Sequence, residues 1–113
     1  MCSRSLLNSL LEKLTAKSKE VFGEKLRYVI LYGSYARGDN DEESDIDVMI
    51  IADIEPGEIM EYSRRISDYV SGINVENGVF ISPMLQDAKG FDKWQNTVPF
   101  YNNVANEGVK VYG

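Results

Sequence analysis

The sequence has 113 residues, of which 43% are hydrophobic and 27% charged, a composition typical of an ordinary folded domain and not of a disordered chain. This length is too short for a second independent core, so we expect one domain over residues 1–113. The formal net charge of -6 disfavours long nucleic acids, because the protein's own field repels phosphate backbones. A small metal-bound triphosphate is not excluded, since a bound cation and a local arginine can override the average charge.

Cysteine and histidine content limits the possible metal chemistry. Cys2 is the single cysteine and histidine is absent, so the sequence predicts no internal disulfide and argues against zinc. Residues 1–11 lack a basic leader with an apolar run, and no apolar stretch is long enough to span a membrane. We therefore expect a cytoplasmic protein without a membrane partner.

The first quarter of the chain predicts one helix and one strand. Leucines recur at helical spacing in residues 5–22, which predicts an amphipathic helix that ends at Gly23. Residues 27–32 read RYVILY and are rich in β-branched and aromatic side chains, which favours a strand. This strand should lead into a turn at Gly33.

The middle of the chain predicts a loop, a strand and a helix. Residues 38–44 contain no apolar side chain and predict a loop. Residues 45–52 include the run VMII, typical of a strand covered on both faces. Apolar residues at helical spacing in residues 59–70 predict a helix, which we expect to end at Gly72.

The last third predicts a strand and a helix. Residues 74–85 contain VFIS and predict a third strand, which Pro83 bends or moves to a sheet edge. Residues 87–98 show no clear pattern, whereas residues 99–108 predict a helix with proline in its first turn and glycine after its last. The predicted fold class is therefore α/β, or α+β in stricter usage, with a small mixed sheet flanked by helices.

Two carboxylates stand at the start of the second predicted strand. Side chains alternate along a strand, so Asp45 and Asp47 should point the same way while Ile46 points into the fold. Two like charges this close repel each other, and a divalent cation between them removes that cost. Magnesium prefers carboxylate oxygens and completes its octahedron with water and substrate phosphates. The pair therefore predicts a clamp for a metal–triphosphate complex.

A glycine turn precedes the acid pair. Gly33 ends the first strand, and Ser34 follows it with a hydroxyl and a backbone N–H that can reach a phosphate. Arg37 can donate a forked pair of hydrogen bonds to a phosphate or to a carboxylate of the neighbouring strand, and we narrowly favour the phosphate. Ser44, which opens the Ser-Asp-Ile-Asp motif, is a further nucleotide-binding candidate.

Structural explanations exist for each of these residues. An isolated Asp-x-Asp is more often a solvated turn, and Arg37 could merely pair with acids of its own loop. The joint occurrence of both motifs favours a site. The remaining loop acids are expected to be solvated, and three aromatic residues are expected to belong to the core and not to a base-binding surface: Tyr62, Tyr69 and Trp94.

The stretch GSYARGDNDEESDID resembles the signature of the DNA polymerase beta-like nucleotidyltransferases, in particular their small, minimal members from bacteria and archaea. That signature consists of Gly-Ser, a nearby Arg-Gly and a later Asp-x-Asp. The resemblance implies the nucleotidyltransferase fold, a triphosphate held by Gly33 and Ser34, and two magnesium ions on Asp45 and Asp47. It also implies attack of an acceptor hydroxyl on the α-phosphorus of a nucleoside triphosphate such as ATP.

The resemblance further implies a third carboxylate from a later strand, and here the sequence departs from the signature. Glu76 is the only acid in the relevant part of the predicted third strand. If Glu76 faces the acid pair, it could act as a base or as a ligand of the second metal. If it faces away, Asn77 or Gly78 occupies the acidic position and the chain binds nucleotide with little transfer. We take Glu76 as the working third carboxylate and therefore as a catalytic candidate.

The resemblance also suggests a class of partner. Minimal members of the family are often antitoxins paired with HEPN-type toxins, which they are thought to inactivate by adding nucleotidyl groups. We therefore expect a HEPN-type protein as a possible partner, and a homo-oligomer is compatible with the sequence. The alternative is a non-catalytic nucleotide-binding or antitoxin interaction module.

Overall fold

The computed structural model describes residues 3–113; Met1 and Cys2, and with them the expectation about the cysteine, lie outside the described residues. The described chain forms helices and strands that alternate through most of its length. In order, they are α1 (Arg4–Phe22), β1 (Leu26–Tyr32), α2 (Ser34–Arg37), β2 (Ile46–Ala52), α3 (Ile59–Asn77), β3 (Ile81–Asp87), α4 (Ala88–Trp94), α5 (Pro99–Glu107) and β4 (Val109–Tyr112), with 3-10 turns at Gly23–Lys25 and Pro56–Glu58.

The strands form one four-stranded mixed sheet in the order β3-β2-β1-β4. Strand β1 is antiparallel to both β2 and β4, whereas β2 and β3 are parallel and are joined by the crossover helix α3. This architecture confirms the predicted α+β class with helices against a small mixed sheet. Pro83 lies on the edge strand β3, as expected for a residue that cannot donate a ladder hydrogen bond.

Helices cover both faces of the sheet, and β2 shows how the faces divide. Val48 and Ile50 pack in one apolar cluster with α1 and α3, so we call this side the α1/α3 face. Met49 and Ile51 belong to a second cluster with Phe91 of α4 and Val104 of α5, which defines the α4/α5 face. Because both faces are covered, β2 is a continuous apolar run, as predicted.

The predicted end of the second long helix is wrong. Helix α3 continues through Gly72 to Asn77, and Gly78, with φ 62°, ends it in the left-handed conformation that glycine adopts without strain. The helical spacing in fact continues to the buried Ile73. Asn74 then fixes the connection, because its side-chain amide bonds both the N–H (2.8 Å) and the carbonyl (3.2 Å) of Ile81.

The third strand is correspondingly shorter at its start than predicted. It begins at Ile81, so the prediction of a strand over residues 74–80 is wrong and the part from Ile81 to Leu85 is right. The unassigned stretch contains α4, capped by Asp87, whose carboxylate accepts from the Gly90 N–H at 2.8 Å. The final residues, which carried no prediction, form β4.

The three aromatic residues predicted to lie in the core differ in how deeply they are buried. Tyr62 and Tyr69 are half-buried against the α1/α3 cluster, as expected. Trp94 is 44% exposed at the end of α4, so its assignment to the core is wrong. No helix among residues 3–113 is long and apolar enough to cross a bilayer.

A pair of glycine substitutions tests the revised course of α3. Gly72→Ala should raise the free energy of unfolding by about 0.5–1 kcal/mol, because Gly72 is mid-helix and a methyl group there meets no atom within 4 Å. Gly78→Ala should lower it by about 1–2 kcal/mol, because alanine is strained at a positive φ. Urea denaturation measures both, and a destabilising Gly72→Ala would mean that the helix ends at residue 72.

Candidate metal and nucleotide site

The acid pair lies where the chain enters β2 from the polar loop. Asp47 is the second residue of the strand and shares its parity with Met49 and Ile51, so its carboxylate is on the α4/α5 face. Asp45 directly precedes the strand and is exposed, whereas Asp47 is half-buried. The two side chains are close enough for the Asp45 charge to act on Asp47. A site with two adjacent carboxylates is therefore present.

Burial and charge shift the ionisation of this site. The pKa of Asp47 is raised above its ordinary value, first by burial and then by the Asp45 charge, and Arg37 partly opposes the rise. The pKa of Tyr32, which lies opposite Asp47 on β1, is raised by burial and by the Asp47 charge. Burial and the neighbouring Asp45 carboxylate thus disfavour the charged form of Asp47 in the absence of a compensating cation. A bound cation would supply that compensation.

Gly33 has no side chain, and this leaves room for the Asp47 carboxylate. It has φ 75° and ψ -155°, a region that essentially only glycine occupies, and a Cβ built on it would collide with the Oδ2 atom of Asp47. The Gly33 carbonyl accepts hydrogen bonds from the N–H groups of Ala36 and Arg37, both at 3.1 Å, which starts the short helix α2. Ser34, the first residue of that helix, is thereby placed beside the turn that contacts Asp47.

Arg37 is paired with carboxylates other than those of the neighbouring strand. Its Nε atom lies 3.2 Å from Oδ2 of Asp39, and its terminal nitrogen lies 4.0 Å from Oε2 of Glu107, the last residue of α5. The Arg37 side chain is 47% exposed. Both pairs are thus at the surface, where ion pairs are weak and exchange readily with a stronger anionic ligand.

Ser44 helps to shape the loop before the acid pair. Its hydroxyl donates to Oδ1 of Asp41 at 3.1 Å and accepts from the Asp41 N–H at 2.9 Å. Oδ1 of Asp41 also accepts from the Glu43 N–H at 2.9 Å. These bonds close the turn that delivers the chain into β2, so Ser44 has a structural role there, and its contact with nucleotide stays a prediction.

Glu76 was predicted to lie in the third strand, but the structure places it in helix α3. Glu76 is exposed in the last turn of α3, the helix that packs on the α1/α3 face, whereas Asp47 is on the other face. Asn77 and Gly78 belong to the end of the same helix and not to a strand. Among residues 3–113, no three or more acidic, cysteine or histidine side chains form a group that could hold a metal ion. The reasoning that made Glu76 the third carboxylate is therefore wrong.

Sequence reasoning missed Ser82. The parallel register of β2 and β3 pairs Asp47 with Ser82, so the two side chains are neighbours on the same face of the sheet. The sequence analysis began the third strand at residue 74, whereas β3 begins at Ile81. The earlier start placed Glu76, and not Ser82, in the predicted site. The available signal was the apolar alternation of Ile81 and Leu85, which fixes Ser82 on the opposite face from these core residues.

Cavities open on two sides of the acid pair. One, of about 210 Å³, lies beside Gly33 between Tyr32, Arg37 and helix α5, where the Phe100 ring meets the Tyr32 ring edge-on at 5.7 Å. The other, of about 340 Å³, is lined by Ser44, Asp45 and the connection that follows α3. The arrangement thus offers paired carboxylates, a glycine turn and space for a ligand next to both.

A substitution of Gly33 tests the close approach to Asp47. Gly33→Ala should destabilise the protein by about 1–3 kcal/mol, because the methyl group is strained by the backbone and collides with the carboxylate. Gly38→Ala is the matched control: it has φ 82° but a Cβ there meets nothing within 4 Å, so it should cost only about 1–2 kcal/mol. Equal losses in thermal denaturation would show that the Asp47 contact contributes nothing.

The charge of the metal-free acid pair should destabilise the fold slightly. Asp47→Asn should raise the melting temperature at neutral pH in EDTA, by the equivalent of less than about 1 kcal/mol, because it removes a half-buried charge that Asp45 repels. Asp45→Asn removes the exposed partner and should therefore have the smaller effect of the two. An unchanged or lower melting temperature for Asp47→Asn would contradict the repulsion.

Known proteins resemble this chain in sequence. The family described as "Polymerase beta, Nucleotidyltransferase" matches residues 12–112. Two relatives come from Methanocaldococcus jannaschii. "Putative protein adenylyltransferase MJ0604" is 34% identical over 83% of this chain and 86% of its own length. "Putative protein adenylyltransferase MJ1305" is 36% identical over 74% of this chain and 57% of its own length, so the present chain matches little more than half of that relative.

Solved structures share the fold. A protein from Sulfolobus solfataricus described as a "putative nucleotidyltransferase" superposes with a TM-score of 0.65 at 20% identity, over 93% of this chain and 78% of its own. A complex of a tri-AMPylated Shewanella oneidensis HEPN toxin with an MNT antitoxin has a TM-score of 0.53 at 18% identity, over 94% and 72% of the two chains. The family match over almost the whole sequence decides the identification that the motifs suggested: this chain belongs to the polymerase beta nucleotidyltransferase family.

Proposed function

We propose that this protein transfers AMP from magnesium-bound ATP to a hydroxyl group of a partner protein. The observation that carries the proposal is the placement of Asp45 and Asp47 beside the Gly33 turn, within a family of nucleotidyltransferases. The names of its relatives, protein adenylyltransferases, support adenylate as the transferred group and a protein as the acceptor. We place the reaction in the cytoplasm, where ATP and magnesium are abundant.

Different residues at the site would bind the metal ion and the phosphates. Asp45 and Asp47 would hold magnesium, because hard carboxylate oxygens on one side of a strand fit that ion. When bound, magnesium neutralises charge on the phosphates. Ser34 would contact the triphosphate through its hydroxyl and backbone N–H, since it follows the Gly33 turn at the start of α2.

Arg37 would change partners when the nucleotide binds. Its present ion pairs with Asp39 (3.2 Å) and Glu107 (4.0 Å) lie at the surface, so their loss costs little. A phosphate offers Arg37 a forked pair of charge-assisted hydrogen bonds, which are stronger. Arg37 would then orient the triphosphate for attack at its α-phosphorus.

In the reaction, the acceptor oxygen forms a bond to the α-phosphorus as the bond from that phosphorus to the bridging oxygen of the β-phosphate breaks. Pyrophosphate leaves, and the hydroxyl proton passes to solvent or to a base on the acceptor. This chain contributes by holding the phosphates in line with the acceptor, which converts an encounter of two molecules into a reaction within one complex.

We propose a HEPN-type toxin as the acceptor protein. The support is the structural likeness to an MNT antitoxin that was solved with an AMPylated HEPN toxin. The net charge of -6 agrees with a protein partner better than with a long nucleic acid. The alternative, a binding module that holds nucleotide without transferring it, is favoured by one observation: no three-carboxylate group exists among residues 3–113.

Isothermal calorimetry with magnesium and ATP tests the proposed site. Asp45→Asn and Asp47→Asn should each weaken binding of the metal–nucleotide complex by about 10- to 100-fold, because losing a charged ligand costs roughly 1.5–3 kcal/mol. Glu61→Gln removes the same charge from an exposed position of α3 that lines neither cavity, and it should change affinity less than about threefold. Unchanged binding in both aspartate variants would show that the assigned site is wrong.

Labelled ATP then separates enzyme from binding module. With a HEPN-type protein as acceptor, transfer of radioactive AMP that disappears in Asp47→Asn supports the enzyme. Binding without transfer to any such acceptor supports the module.

A further inference from the structure

The number of carboxylates at the site bears on how many metal ions it can hold. Two-ion catalysis of phosphoryl chemistry places a pair of cations close together, and carboxylates must neutralise and bridge both. Among residues 3–113, acidic side chains do not gather in any group of three that could serve as a metal site. Asp45 and Asp47 therefore act as a pair without a third acid.

The sheet register identifies the strand position where a third acid would fit. Asp47 has Tyr32 as its pairing partner on β1 and Ser82 as its partner on β3. Paired residues of adjacent strands lie about 5 Å apart and point to the same face. On β1 this position is Tyr32, whose ring packs against Phe100. On the β3 side it is filled by Ser82, a small neutral residue that is half-buried.

Of the other nearby acids, Glu42 and Glu43 line the cavity beside Asp45 without forming a group of three with the pair, and three more are engaged elsewhere. Asp39 and Glu107 both pair with Arg37. Asp87, the acid of β3, is at the opposite end of that strand, paired in register with Ala52, and it caps α4. The position next to Asp47 on the edge strand is thus the one at which a single substitution would complete a three-carboxylate site.

We propose that this protein binds one magnesium ion with each nucleotide, and that Ser82 is the residue that withholds the second. The inference rests on the proposed function, since it concerns the same site. A serine hydroxyl is neutral and a weak ligand for a hard cation, so a second ion next to Asp47 lacks the charge it needs. A serine also cannot accept the proton of an attacking hydroxyl at neutral pH. The site therefore favours holding the nucleotide over rapid transfer.

Installing the missing carboxylate tests the proposal. Mn²⁺ replaces Mg²⁺, and electron paramagnetic resonance counts the bound ions in the presence of an ATP analogue that cannot be cleaved at the α-phosphorus. The unmodified protein should bind one Mn²⁺ per nucleotide. Ser82→Asp should bind a second ion at least about tenfold more tightly than the unmodified protein, and should transfer AMP faster by a similar factor.

Met84→Asp is the matched control. It adds the same charge to the same face of β3, but one row farther along, opposite Met49, where the side chain is 42% exposed. It should leave the ion count at one, which separates a specific site from general attraction of cations to an acidic protein. Ser82→Asn keeps the size of the new side chain without its charge and should also bind one ion.

The outcomes are distinct. Two ions in the unmodified protein, or equal affinities in Ser82→Asp and Met84→Asp, would overturn the inference and leave the proposed function standing. Absence of any Mn²⁺–nucleotide complex in the unmodified protein would instead overturn the proposed function. If Ser82→Asp does not fold, the ion count of the unmodified protein still decides the matter.

Discussion

The site depends on the contact between the Gly33 backbone and the Asp47 carboxylate. The carboxylate occupies the space that any side chain at residue 33 would fill, and the backbone of Gly33 adopts a conformation that other residues avoid. The same turn ends β1, starts α2 and places Ser34 next to the acid. One glycine therefore joins the position expected to bind phosphate to the position expected to bind metal.

The sheet keeps this arrangement rigid. Strand β2 is buried on both faces, between the α1/α3 cluster and the α4/α5 cluster, so it cannot rotate to turn Asp47 away. At its start the strand emerges from the core, and Asp45 and Asp47 become accessible. The fold thus holds two repelling charges in place through packing that does not involve them. A rigid frame of this kind keeps ligands preorganised for a cation.

Charge around the site is arranged asymmetrically. Arg37 lies on the β1 side and is shared between a loop acid and the last residue of α5. The β3 side offers Ser82 and, one row farther along the strand, the exposed Met84. Charged side chains therefore lie on the β1 side of Asp47, whereas the neighbouring side chains of β3 are neutral.

The sequence by itself determined the elements whose patterns are local: the amphipathic α1, the apolar β2, the glycine turn at residue 33 and the spacing of Asp45 and Asp47. Alternation along a strand predicts that those two carboxylates point to one side, and in the structure Asp45 directly precedes β2. The end of α3 was not determined locally, because Gly72 resembles a helix stop although it lies on a solvent-facing part of the helix where nothing packs. Only the tertiary structure showed that α3 extends past Glu76. Likewise, only the pairing of β3 with β2 placed Ser82 beside Asp47, since register between strands is set by contacts across the sheet and not by neighbours along the chain.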